Sequence, residues 1–250
     1  MQPVDAETFA GLWRQTFSPG AHFLKAVSMR VDRPGRVVSF AGGEVRIDDR
    51  HSRLRVPIGS AEGALEELFG IDRGLLARAF GIAGRPEPEA RETTLTAYLE
   101  AAAGPDEAFR TVATRQGYRR LIGGVADVVG EEATTEGFRL TLAPPGTADG
   151  DDGDGGRLVE DVAVVPGSRR VRIERQIGAA GAVSRSAYAV EIRAGRTYLV
   201  REAVLPGVRE DLLRNDSLRG RLAGSLAVDL LAWARRIRDA DAGEEAARNP

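Results

Sequence analysis

The sequence predicts an α+β fold: a curved antiparallel sheet (an incomplete barrel) with an N-terminal helix, a helical insertion and a long C-terminal amphipathic helix. Three observations predict it. Short segments of period two recur in two blocks, before Ser60 and after Gly117, separated by turn residues. Between the blocks, residues 60–115 place apolar residues three and four apart, with polar caps and glycine or proline breaks. The chain closes on Leu222, Leu226, Leu230, Trp233 and Ile237, one apolar stripe at helical spacing.

Taken in order, "DAETFAGLWRQTF" reads as a helix capped by Asp5, with Phe9, Leu12, Trp13 and Phe17 on one face. The period then changes to two, and Phe23, Val27, Met29 and Val31 share a side. "RPG" is a turn, and "RVVSFAGGEVRI" and "SRLRVPI" continue as strands, Leu54, Val56 and Ile58 alternating with arginines. "SAEGALEELFG", "DRGLLARAFGI" and "ARETTLTAYLEAAAG" read as helices. "RRLIGGVADVV", "EGFRLTLAP", "GRLVEDVAVV", "RRVRIERQI", "SRSAYAVEI" and "RTYLVREAVL" then form an antiparallel meander. One domain over 5–239 follows, with the insertion at 60–115, the last helix at 216–239 and a disordered polar tail at 240–250.

Composition excludes several chemistries. There is no cysteine, so disulfides, thiolate catalysis and cysteine-based metal sites are absent. Two histidines, His22 and His51, stand far apart, and no zinc-binding spacing occurs. Of the 35 basic residues all but Lys25 are arginine, yet the net charge is -2, which gives no general attraction to nucleic acid. No run of apolar residues is long enough to span a bilayer. The start lacks the basic and apolar regions of an export signal. The compartment stays open: the cytoplasm is expected, or the periplasm if a signal has been removed.

"TADGDDGDGGRLVED" packs four aspartates into six positions, Asp149 to Asp154. A calcium loop counted from Asp149 puts Asp151 at position 3 and Glu160 at position 12. It also puts Gly153 at a ligand position and Asp154 where the turn glycine belongs. The stretch reads instead as a hairpin insertion. Gly42–Gly43 and Gly123–Gly124 lie within strand patterns and suggest bends rather than phosphate cradles. Arg170, Arg172, Glu174 and Gln176 share the solvent side of one strand. No catalytic set, cofactor motif or metal site emerges, and a binding module is the expected class.

"GRVVSFAGGEVRIDDRHSRLRV" (Gly35 to Val56) resembles a segment of the LolA-type bacterial lipoprotein carriers. Arg50, Ser52, Arg53, Leu54, Arg55 and Val56 match its R-P-G-R-F-R-W-like run, with His51 in place of proline. "EGFRLTLAP" and the strands from Leu158 to Ile192 resemble the family's second half. The resemblance implies a helix-closed, incomplete barrel whose cavity takes acyl chains. It also implies a non-enzymatic monomer with an apolar ligand or lipidated protein as partner, a peripheral membrane contact, and a lid-latching role for Arg50. Phe23, Val27, Met29, Phe40, Val45 and Ile47 would line the cavity. Residues 60–115 and the last helix depart from the family. Two alternatives remain open: a START-like binding or cyclase domain, whose usual first strand is missing from this reading, and a protein-interaction domain with a filled core.

Overall fold

The computed structural model describes residues 5, 7–8, 10–11, 26–123, 125–145, 157–177 and 182–248; side chains are described except at 177, 182 and 241–248. The fold is α+β with antiparallel pairing, as the periodicity predicts. The chain divides into two compact units.

The first unit holds residues up to Thr93 and the segment Gly207–Asn215. At its start, the Asp5 carboxylate accepts from the backbone N–H groups of Glu7 at 3.0 Å and Thr8 at 2.8 Å, the bonds of a helix cap. The rest of the helix expected there, with Phe9, Leu12, Trp13 and Phe17, lies outside the described residues. β1 (Met29–Arg33), β2 (Arg36–Ala41), β3 (Glu44–Asp49) and β4 (Ser52–Pro57) form a meander. Its register places Met29, Phe40, Val45 and Val56 in one row and Val31, Val38, Ile47 and Leu54 in the next. Directly opposed residues share a face, so these two rows are wholly apolar, and the next row on the same side is Arg33, Arg36 and Asp49. Gly42 and Gly43 both have positive φ, 57° and 78°. They make the two-residue turn between β2 and β3 that such a hairpin requires, not a bend within a strand.

α1 (Glu62–Phe69) and α2 (Arg73–Ala83) follow, α2 capped by Asp72, whose carboxylate accepts from Leu75 N–H at 3.0 Å. They bury Leu65, Leu76 and Phe80, and Phe80 meets Phe40 edge-on at 6.1 Å. The short helical segment Asp211–Arg214 returns to this unit. Arg214 donates to Glu67 at 2.7 Å, and Leu212 and Leu213 are buried.

The second unit begins with β5 (Thr93–Ala101), where the sequence pattern predicts a helix. Leu95, Leu99 and Ala102 do recur at helical spacing. Thr93, Thr94, Thr96 and Tyr98, however, prefer a pleated strand, and Leu95, Thr96 and Ala97 are buried in succession, which a strand covered on both sides achieves. α3 (Pro105–Ala113) and α4 (Arg115–Ile122) come next, so "RRLI" is helix and Gly123 ends it. β6 (Asp127–Ala133), β7 (Gly137–Ala143), β8 (Leu158–Val165), β9 (Arg170–Ile177), β10 (Ala182–Arg193) and β11 (Arg196–Leu205) complete the sheet. Its order is β5-β11-β10-β9-β8-β7-β6. α5 (Asp216–Arg248) packs on β11, α3 and α4. Its predicted stripe is the buried side: Leu226, Leu230, Trp233 and Ile237 are buried and Leu222 is half-buried.

Candidate functional site

Most of the carrier-derived residues fall in the first unit. Phe40, Val45 and Ile47 are buried on the apolar face of β2 and β3, Val27 and Met29 are half-buried, and Arg50 is exposed in the turn before β4. Phe23 and His22 lie outside the described residues, and so does the aspartate-rich stretch. His51 is exposed. The two blocks that resemble the carriers belong to different compact units.

The second unit holds a cluster of a different chemistry. Register puts Glu160 of β8 directly opposite Arg175 of β9, and Arg175 opposite Ser184 of β10. The neighbouring rows run Phe138–Val162–Ile173–Ser186 and Val164–Val171–Tyr188–Arg201. All of these share the inner face, because Tyr118 of α4 reaches it: the phenol donates to Glu160 Oε2 at 2.9 Å. Arg175 holds the other carboxylate oxygen through Nε at 2.7 Å and through Nη2. Glu160 is 0% exposed, a position where an unpaired carboxylate would be costly. Among the described residues, every buried side-chain nitrogen and oxygen has a hydrogen-bond partner.

Aromatic rings frame this cluster. Tyr118 meets Phe138 at 5.7 Å and Tyr188 at 6.5 Å, and Tyr188 meets Trp233 of α5 at 5.4 Å, all edge-on. The Arg201 guanidinium lies 4.4 Å over the Tyr188 ring and donates to Asp229 at 2.9 Å. Trp233 Nε1–H donates to Thr111 Oγ1 at 2.7 Å, so its polar edge is satisfied inside the unit. Burial, and then the adjacent Glu160 carboxylate, push the Tyr118 phenol well above its ordinary pKa. Burial likewise pushes Tyr188 up to about 12. Both rings are neutral hydrogen-bonding groups at physiological pH.

Burial declines along the inner face. On β9, Val171 and Ile173 are buried, whereas the Arg175 side chain is 40% exposed. On β10, Tyr188 is buried, Ser186 half-buried and Ser184 exposed. The face is thus closed at one end and polar and open at the other.

Sequence analysis did not find this cluster, although a signal existed. In "RLVEDVAVV" and "RRVRIERQI", Glu160 and Arg175 occupy the parity of Val162, Val171 and Ile173. A charged residue at an inward parity is informative. Attention to Arg170, Arg172 and Glu174 took the outer face, where Arg172 and Glu174 are indeed exposed.

The second unit is therefore an antiparallel sheet that carries two short helices after its first strand and one long helix across it. No protein-family model and no curated protein matches the sequence. Similar solved structures include DynU16, a protein of the dynemicin biosynthetic locus: 18% identity, 57% of this chain, TM-score 0.38. This chain spans 46% of that protein's length. The Zhui aromatase/cyclase of Streptomyces sp. R1128 is 14% identical over 58% of this chain and 90% of its own, TM-score 0.37. A START superfamily protein of Mycobacterium smegmatis is 16% identical over 58% of this chain and 97% of its own, TM-score 0.37.

Proposed function

We propose that the second unit is a START-like, non-enzymatic binding domain that shelters an apolar small molecule against the inner face of its sheet. The observation that carries this reading is the Glu160–Tyr118–Arg175 cluster. Replacing a buried ion pair by apolar residues is often neutral or stabilising. A core selected for stability alone has no need of one here. A carboxylate fixed from both sides, beside a partly exposed arginine and two serines, is instead a set of directed polar groups at the end of an apolar wall. Such a wall with few convergent polar groups is the usual form of a small-molecule site. Phe138, Val162 and Ile173 supply apolar surface. A buried methylene contributes about 0.8 kcal/mol, so a lipid acyl chain would suffice as ligand. β5, which precedes α3 and α4, supports the reading by supplying a strand before the helices.

Native mass spectrometry of protein from its own host, with uptake of an apolar fluorescent probe, tests the reading. Ser186→Trp should block uptake while the fold is retained. If the wild type takes up no probe and carries no small molecule, the interior is a filled core and the reading fails. The carrier reading puts the ligand on Val27, Met29 and Phe40 instead. Uptake lost in Val27→Asn and kept in Ser186→Trp would favour that site.

A further inference from the structure

We propose a second binding site, for a phosphate-bearing small molecule, in the cleft where α3, α4 and α5 meet. The cleft has a volume of about 380 Å³ and receives Arg110 from α3, Arg120 from α4 and Arg236 from α5. That volume suits a phosphate together with the group that carries it.

Little holds these arginines. In this unit Arg115 and Arg119 pair with Glu131, Arg139 with Asp161, and Arg196 with Glu100. Arg120 and Arg236 form no hydrogen bond or ion pair among the described residues, and both are exposed. Among the described residues Arg110 uses only Nε, donating to the Asp106 carbonyl at 3.4 Å, and neither terminal nitrogen has a partner there. Two carboxylates also line the cleft. Glu107 is turned back to the N-terminus of α3, accepting from Gly104 N–H at 3.4 Å, and Asp239 leaves an excess of one positive charge. Guanidinium forks gathered from three helices match the bidentate geometry of phosphate oxygens.

The floor beneath them is rigid. Thr111 accepts from Trp233 and donates to the Ala108 carbonyl at 2.7 Å. Thr114 caps α4 by accepting from Gly117 N–H at 3.1 Å. At Gly117 a Cβ would come within 2.3 Å of the Thr111 carbonyl oxygen, so only glycine lets α4 start this close to α3. The arginine stems therefore leave a fixed frame, which lowers the ordering cost of binding.

Pyrophosphate is the probe, titrated into the full chain at constant ionic strength and followed by calorimetry and amide shifts. The expected result is saturable binding with shifts at Gln116, Gly117, Arg120 and Arg236. Arg120→Gln and Arg236→Gln should each weaken it on the order of tenfold, the scale of one charge-assisted hydrogen bond. Arg172→Gln, on the outer face of the sheet, should leave it unchanged. Absence of saturable binding, or equal weakening by Arg172→Gln, would overturn the proposal. The readout does not involve apolar-probe uptake, so this site and the inner-face site fail separately.

Discussion

The inner faces of the two units are built from opposite materials. In the first, Val38, Phe40, Val45, Ile47, Leu54 and Val56 are at most 2% exposed, and every one is apolar. Most of its charges occupy the other parity, and those of the inner parity, Arg33, Arg36 and Asp49, stand at the sheet's end. Arg46 and Arg55 face each other in register, an arrangement of like charges that Glu44 offsets by accepting from both, at 2.8 and 3.0 Å. In the second unit some of the charges are inside. Glu160, Arg175 and Arg201 share the inner face with Tyr118 and Tyr188. The first sheet keeps the middle of its inner face apolar and holds its buried carboxylate, Glu44, on the other parity. The second has its fully buried carboxylate, Glu160, on the inner face, and that cost makes it the place to look for function.

The largest effect that can break this comparison is truncation of the aromatic frame. Trp233→Ala should cost about 3–5 kcal/mol in chemical denaturation, and Phe40→Ala in the first unit about the same. Both side chains are at most 1% exposed. A loss below about 1 kcal/mol for Trp233→Ala would mean that α5 is not held by its stripe.

Gly117→Ala should cost roughly 1–3 kcal/mol, because the α3–α4 corner must open to admit a methyl group. Thermal denaturation reads it directly. An unchanged midpoint would show that the corner yields freely.

Alkaline pH sharpens the contrast. The folded state holds the phenolic protons of Tyr118 and Tyr188 above the ordinary value of 10.0, Tyr188 to about 12. Their raised values favour folding fully below pH 10, where both states are protonated, and the unfolded chain then releases its protons first. Stability should fall above pH 10 by up to about 1.4 kcal/mol per pH unit for each ring. Tyr118→Phe should flatten that slope in denaturant titrations at pH 9–11. An unchanged slope would contradict the buried assignment.

The smallest effect belongs to Glu44. Burial opposes its ionisation, but hydrogen bonds from Arg55 and Arg46 hold its pKa below the ordinary carboxylate value. Its contribution is present above that ordinary value and is lost as pH falls through the lowered one. Glu44→Gln should therefore cost no more than about 1 kcal/mol at neutral pH, as for other partly exposed pairs. The difference from wild type should shrink under acid.

Period-two alternation is a local property, so Leu54, Val56 and their neighbours declare a half-buried strand without help from the rest of the chain. The stripe from Leu222 to Ile237 does the same for α5, since a helix with one apolar side must dock it. The turn at Gly42–Gly43 is also local, but the strand pattern on either side reads it as a bend. Residues 93–101 are not decided locally. Their apolar positions fit both periods, and burial on both faces, a property of the assembled sheet, selects the strand. The candidate site lay further out of reach. Tyr118, Glu160, Arg175 and Trp233 are spread over more than a hundred residues and share no sequence motif. Cross-strand register sets Glu160 against Arg175, and the packing of α4 brings Tyr118 onto them. Sequence alone determined which residues face inward on the strands and helices whose apolar positions fit a single period. Only the tertiary structure decided which inward residues meet, because contacts across a sheet and between helices depend on register and packing that no local spacing encodes.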